Sequence, residues 1–208
     1  VYMDLLDYRW FRTADGVTDG DQFTNNWQGS MKGASIFDPR MIELQKDYAT
    51  KLLTHRNPYT GLRYVDDPAM AVVETTNENS IFYFFRTGGL STPHYREELT
   101  RRWNVWLADR YPTRAALDAA WTDTAGRKAL LDDEDASQGT VEFMFGMSGR
   151  IPTEENPDKF DPLVSPPRVG DLLRFLTGLQ RAYYQEMYGH LNEIGVRVPI
   201  AGTNQPLG

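Results

Sequence analysis

Val72-Val73-Glu74-Thr75-Thr76-Asn77-Glu78-Asn79 is an apolar, β-branched run that ends abruptly in Asn-Glu. A strand covered on both faces is apolar along its length, as the strands of parallel sheets are. The run therefore reads as such a strand, with a carboxamide and a carboxylate at its exit. Glu78 beside Asn77 is a candidate general acid/base with a hydrogen-bonding neighbour. Strands also end in polar residues simply because they reach solvent, and that plainer reading stands beside the functional one. Glu74, inside the apolar run, is expensive to bury unless paired, so it is expected in a satisfied core ion pair.

Upstream, residues 1–8 read as another strand, with Asp7, Tyr8, Arg9 and Trp10 where it emerges. Residues 13–33 are rich in Gly, Asp and Asn and read as a long loop containing Trp27; loops of that length inside compact domains are often functional. Asp38 followed by Pro39 is a preferred helix start. Met41, Leu44, Tyr48 and Leu52, with Ile42, Ala49 and Leu53, supply that helix with a buried stripe. Asn57-Pro58-Tyr59-Thr60-Gly61 is a turn, and Asp67-Pro68 leads back into the Glu78 strand.

Downstream, Ile81-Phe82-Tyr83-Phe84-Phe85 reads as a short helical turn packed under the strand exit. Thr92 or Ser91 caps a further helix beginning at Pro93, with Tyr95, Leu99, Trp103, Trp106 and Leu107 on its core side. Thr113 opens a shorter one whose inner face is Ala116, Leu117, Ala120 and Trp121. Residues 122–167 are an irregular insertion, and its acidic run Leu131-Asp132-Asp133-Glu134-Asp135 reads as solvated surface. A calcium site is the alternative, since hard cations want several oxygens, but the spacing lacks the EF-hand pattern. Val169, Leu172, Leu173, Leu176, Leu179, Tyr183, Met187, Leu191 and Ile194 then mark an amphipathic helix of about 27 residues, near 40 Å at about 1.5 Å per residue. Gly195 supplies its C-cap. Residues 196–201 form the next strand, and Asn204 falls at its exit.

The order strand, helix, strand, helices, long helix, strand gives a parallel sheet through βαβ crossovers. The fold class is α/β. In α/β barrels the chemistry sits where the strands end, which is where Asn77, Glu78 and Asn204 fall. About three strands are visible, whereas a complete barrel has eight and typically about 250 residues. The expectation is a partial (β/α)8 barrel over residues 1–208, with insertions at about 13–33 and 122–167, completed by the same or another chain.

Ala71-Val72-Val73-Glu74-Thr75-Thr76-Asn77-Glu78 resembles the fourth-strand signature of clan A glycoside hydrolases, in which an apolar strand carries a Glu, two variable residues and Asn-Glu. Many cellulase-like members have Pro after that Glu; this chain has Asn79. The flanks extend the likeness. Phe37-Asp38-Pro39 and Leu53-Thr54-His55-Arg56-Asn57-Pro58-Tyr59-Thr60-Gly61 resemble the stretch before the acid/base in bacterial cellulase-like (family 5-like) proteins. Trp103-Asn104-Val105-Trp106-Leu107 and Leu117-Asp118-Ala119-Ala120-Trp121 are similar to a segment after it, there and in family 42 β-galactosidases. The resemblance covers about residues 1–122. It implies a TIM barrel of which this chain holds strands three to five, and retaining hydrolysis of β-glycosidic bonds in glycosides or polysaccharides. It also implies Glu78 as acid/base, Asn77 on the sugar 2-hydroxyl, and a nucleophile Glu on the seventh strand, beyond Gly208.

Retaining glycosidases set two carboxyl groups about 5–5.5 Å apart, and the acid needs a raised pKa to hold its proton. Glu142, Glu154 and Glu155 lie in the insertion and Glu186 and Glu193 on the last helix, so residues 1–208 are expected to be inactive alone. Aromatic faces bind sugars, so Trp10, Trp27 and Tyr8 read as stackers or, equally, as core. Asp7 and Arg9 bond sugar hydroxyls or each other.

With 208 residues, 40% hydrophobic and 25% charged, the composition is that of a soluble globular protein. A net charge of −7 disfavours nucleic acid. The absence of cysteine excludes disulfides, thiolate metal sites and a cysteine nucleophile, and leaves the compartment open. No stretch approaches the roughly 20 apolar residues of a membrane span, and the start, lacking a basic n-region, reads as mid-fold rather than as a signal peptide. His55, His94 and His190 are scattered along helices, so neither metal nor cofactor is expected. Two other classes remain: a sugar-binding but catalytically dead barrel relative, and a structural module that assembles through its long helix.

Overall fold

Val73 pairs on both sides. It is the middle of a three-stranded parallel sheet formed by β1 (Tyr2–Asp4), β2 (Val72–Glu74) and β3 (Ile200–Ala201), in that spatial order. The computed structural model describes residues 1–6, 10–23, 31–87, 92–146, 150, 153–154, 156 and 159–205, with the backbone alone at 84, 86 and 87. Tyr2, Met3 and Asp4 stand beside Val72, Val73 and Glu74, and Val73 and Glu74 beside Ile200 and Ala201. Parallel neighbours need long crossovers. The first runs through α1 (Pro39–Leu53) and the second through α2 (Ile81–Thr87), α3 (Pro93–Arg110), α4 (Arg114–Ala120) and α5 (Pro166–Glu193). The α/β class expected from the sequence is the one observed.

The strands are shorter than the sequence suggests. The first, expected over residues 1–8, is assigned only as Tyr2–Asp4, and residues 7–9 lie outside the described residues. The second stops at Glu74, four residues before Glu78. Backbone pairing continues past that point without regular strand geometry. Asn77 N–H donates to Leu6 O (2.9 Å), and Thr75 and Thr76 N–H donate to Ala201 O (2.9 Å) and Gly202 O (3.2 Å).

Contacts divide the chain into two compact units, Val1–Phe84 with Gly178–Gly208, and Phe85–Thr177, so α5 belongs in part to each. In the first unit, Met3 and Leu5 of the first strand segment, Val73 and Ile200 meet Ala49 and Leu53 of α1 and Leu191 of α5. Strand residues alternate between faces, so this apolar set leaves Glu74 on the opposite face. α1 starts as its sequence dictates: Asp38 is the N-cap, its Oδ1 accepts Met41 N–H (2.7 Å), and Pro39 follows. Met41, Ile42, Leu44, Ala49 and Leu53 are buried as expected, but Tyr48 is 39% exposed. Gln45 takes a place in the buried face instead, its Oε1 accepting the Tyr183 hydroxyl at 2.6 Å. His55 lies past the end of α1 rather than on a helix.

The second unit is built on tryptophan. Trp103 is 1% exposed and stacks on Trp106 (5.6 Å) and Trp121 (6.0 Å), with Phe175 tilted against it at 5.4 Å. Trp106 is only half-buried and Ala120 is exposed, so the inner faces expected for α3 and α4 are narrower than their apolar content. The acidic run departs most from expectation. Glu134 is 2% exposed, not solvated, and forms a buried pair with Arg168. On the surface of α3, Glu98 accepts from Arg101 Nε (2.8 Å) and Arg102 Nε (2.7 Å). These bonds, Arg101 first, hold its carboxyl at about 2 instead of 4.5. A lowered folded-state pKa means that the unfolded chain binds more protons between the two values. The stabilisation is therefore complete above 4.5 and lost as pH falls through about 2. Glu98→Gln is expected to flatten the fall of the urea midpoint across that window and to leave the midpoint near neutrality within the small range of an exposed pair.

Among the described residues no helix is long and apolar enough to cross a membrane, and no group of three or more His, Asp or Glu is placed to hold a metal ion.

Candidate active site

Beyond β2 the chain leaves the sheet in a turn, Asn77-Glu78-Asn79, that lies between the exits of β1 and β3. The β1 side is fixed by Leu6 O, which accepts Asn77 N–H (2.9 Å) and the Thr76 hydroxyl (3.2 Å). On the β3 side, Asn204 Oδ1 accepts Glu78 N–H and Asn204 Nδ2 donates to Asn77 Oδ1, both at 2.7 Å. Thr203 Oγ1 accepts Asn79 N–H at 3.2 Å. Three residues singled out from the sequence, Asn77, Glu78 and Asn204, are thus in direct contact although 127 positions separate Asn77 from Asn204.

Behind the turn stands Lys32, only 5% exposed, whose Nζ donates to Asn77 O at 2.7 Å. Asn79, fully buried, donates from Nδ2 to Lys32 O (3.1 Å) and Ser35 Oγ (3.3 Å). The Asn79 side chain thus ties the turn to the segment that precedes α1. The following residue pair starts α2 under the turn: Ile81 N–H donates to Gln180 Oε1 (2.9 Å) and Phe82 N–H to Ser80 Oγ (3.2 Å). Neither Lys32 nor Asn79 carries a sequence signal for this role; a lysine in a Gly-rich loop reads as surface.

Glu78 itself is exposed, with its backbone at φ 43°. That left-handed conformation is uncommon for a residue with a Cβ and is native to glycine. Glu78→Gly is accordingly expected to be more stable than Glu78→Ala by about 1 kcal/mol, the usual scale of the glycine preference at such sites. Equal unfolding midpoints for the two variants would show that the turn is relaxed at this position. The Glu78 side chain thus reaches solvent while its main-chain N–H is bonded to Asn204.

Glu74 departs from its expected ion pair. It is 1% exposed, and Tyr2 Oη donates to its Oε2 at 2.5 Å. No partner reaches its Oε1 among the described residues. This bond, with the nearby negative charge, pushes the Tyr2 phenol up to about 12, so the hydroxyl stays protonated and donating at neutral pH. Across the sheet, burial pushes the Tyr184 phenol to about 12 as well. The Tyr184 ring lies so close to Gly202 that a Cβ there would stand 3.2 Å from it, and the ring would have to give by a few tenths of an ångström to admit one.

Trp10 is 48% exposed, beside Phe11, which is 1% exposed and anchors the segment. Asp7, Arg9 and Trp27 lie outside the described residues, as does Tyr8. An open groove of about 740 Å³ lies within the second unit along Arg96, Thr100, Asn104 and Phe145. Among the described residues Glu97 is its one lining carboxylate.

No protein-family model, no curated protein and no solved structure matches this chain.

Proposed function

We propose that this chain is the central part of a retaining glycoside hydrolase acting on β-linked glycosides or polysaccharides, with Glu78 as general acid/base. The observation that carries the reading is an exposed Glu78 just beyond a parallel strand, its main-chain N–H joined through the Asn204 side chain to the Asn77 carboxamide. Catalytic groups of α/β barrels gather at that end of the strands. On this reading the three strands belong to a (β/α)8 barrel, and the nucleophile is a Glu from a later strand, outside residues 1–208. Residues 1–208 alone then carry one carboxyl group of the pair and do not hydrolyse aryl β-glycosides.

The chemistry is a double displacement. The nucleophile attacks the anomeric carbon while Glu78 gives its proton to the leaving oxygen, and a covalent glycosyl-enzyme forms. Glu78, now a carboxylate, takes a proton from water, which attacks the same carbon and releases the nucleophile. On this reading Asn77, on the same turn, bonds the sugar hydroxyl next to the reacting carbon, and the exposed Trp10 supplies an aromatic face. Two inversions give net retention. The test is the anomeric form first released from an aryl β-glycoside by the complete protein, followed by proton NMR. The β-anomer is expected before mutarotation. An α-anomer, or no turnover on any β-glycoside, overturns the reading, and the second result favours a sugar-binding relative without catalysis.

A further inference from the structure

We infer that Asn204 and Lys32 are positioning residues that clamp one peptide unit, the Asn77–Glu78 peptide, in a conformation it would otherwise leave, and that Asn204 does not serve as a sugar ligand. Both polar ends of that peptide are held by side chains from separate segments. Its carbonyl accepts from Lys32 Nζ at 2.7 Å, and its N–H donates to Asn204 Oδ1 at 2.7 Å. Lys32 precedes α1 and Asn204 follows β3, so the two grips approach from opposite sides of the turn.

The clamp opposes a strain that the backbone records. Glu78 has φ 43°. A half-turn of the Asn77–Glu78 peptide about its flanking bonds would change that angle by 180°, from 43° to about −137°, in the broad extended region open to any residue. Nothing in a Glu side chain resists that flip. Strained backbone of this kind persists only where surroundings over-determine it. Here the flip would aim the carbonyl toward Asn204 Oδ1 and the N–H toward the Lys32 ammonium, placing acceptor against acceptor and donor against donor. The flip turns the peptide about the Cα–Cα axis and leaves the Glu78 Cα–Cβ bond nearly in place; what it would cost is the two bonds that pin the turn, and with them the fixed position of Glu78.

Asn204 does a second thing with the same carboxamide. Its Nδ2 donates to Asn77 Oδ1 (2.7 Å), which orients the Asn77 amide plane with Nδ2 turned away from Asn204. One side chain therefore pins both the peptide that carries Glu78 and the face that the Asn77 amide presents. The consequence for catalysis rests on the reading of Glu78 as acid/base; the clamp on the peptide does not.

The experiment has two arms on the complete protein. In the first, the Glu78 amide is followed by ¹⁵N-resolved hydrogen exchange in the wild type, Asn204→Ala and Asn204→Asp. Exchange at Glu78 should speed by about 10-fold or more in Asn204→Ala, the size of one lost hydrogen bond, and stay slow in Asn204→Asp, which keeps an acceptor. Unchanged protection in Asn204→Ala overturns the clamp. Lys32→Met should expose the same amide if it folds; Asn204→Ala decides the matter if it does not. In the second arm, kcat and KM are measured on β-glycosides with a dinitrophenolate leaving group and with an alkoxide one. A turn that no longer holds the acid in place should cost Asn204→Ala about 10²-fold in kcat/KM on the alkoxide substrate and far less on the activated one, for which the first step needs no acid. A raised KM with equal losses on both would make Asn204 a sugar ligand and overturn the positioning role. An inactive wild type with the expected exchange pattern would sink the glycosidase reading and leave the clamp standing.

Discussion

Glu78→Gln in the complete protein is expected to lower kcat/KM on glycosides with alkoxide leaving groups by about 10²–10⁴-fold, the range supplied by a positioned general acid. The substitution keeps the size of the side chain and removes only the proton that can be given up. It leaves the main-chain bond from Glu78 to Asn204 in place, so the turn, the sheet and the unfolding midpoint should be unchanged. The loss should depend on the leaving group. A dinitrophenolate departs without a proton, so glycosylation survives, whereas water attack on the intermediate still lacks its base. The activated substrate should therefore show a burst of phenolate, about one per enzyme, followed by slow turnover. Equal losses on both substrates would take proton transfer away from Glu78 and leave it a binding residue.

A second large effect is expected far along the chain, on stability. Arg168 and Glu134 form a bidentate pair, Nη1 to Oε2 at 2.7 Å and Nη2 to Oε1 at 2.6 Å, and each is 2% exposed. Both members of the pair make further bonds. Arg168 donates to Ala129 O (2.8 Å) and Glu142 O (2.7 Å), and its guanidinium lies 4.8 Å from the Trp121 ring. Glu134 accepts Leu131 N–H (2.9 Å) and Glu142 N–H (2.8 Å). The pair thus staples the segment 129–142 to the first turn of α5. Glu134→Leu leaves a buried guanidinium uncompensated and should cost about 3–5 kcal/mol. Whole domains are stable by about 5–15 kcal/mol, so this is enough to unfold a marginal one. Arg168→Met should cost a similar amount. The double variant Glu134→Leu/Arg168→Met should be more stable than either single one, because no bare charge remains. It should fall short of the wild type, because four main-chain groups lose their partners. Additive losses in guanidinium unfolding would show that the pair is solvated in solution.

What the sequence discloses and what it hides divide by distance along the chain. Asp38-Pro39 announced α1 because an N-cap is a contact over three residues, and Gly195, at φ 107°, closes α5 for the same local reason. The stripe Leu172, Leu176, Tyr183, Met187 and Leu191 is buried, as a period of three and four requires. In the same helix Leu173 is 43% exposed, while Arg168, Asp171 and Gln180 are buried. Apolar spacing cannot show them, because each is paid for by a partner elsewhere: Glu134 for Arg168, the Trp121 indole for Asp171, the Ile81 N–H for Gln180. The candidate site follows the same rule. Glu78 and Asn77 could be read from a strand that ends in Asn-Glu, and Asn204 from its place after the next strand. Their mutual bonds could not, since Glu78 and Asn204 stand 126 positions apart. Lys32, 45 residues from Asn77, and Asn79 were legible only as loop and turn residues.

The role of Glu78 is tested most directly by chemical rescue. Glu78→Ala in the complete protein should turn over a dinitrophenyl β-glycoside slowly. Azide needs no general base and should fit the space that the carboxylate vacates. It should attack the glycosyl-enzyme on the face from which water normally comes, raise the turnover rate by about the factor that the base supplied, 10²–10⁴, and leave a β-glycosyl azide as the product. No acceleration by azide, or an α-glycosyl azide, would contradict the assignment of Glu78 as the acid/base of a retaining enzyme.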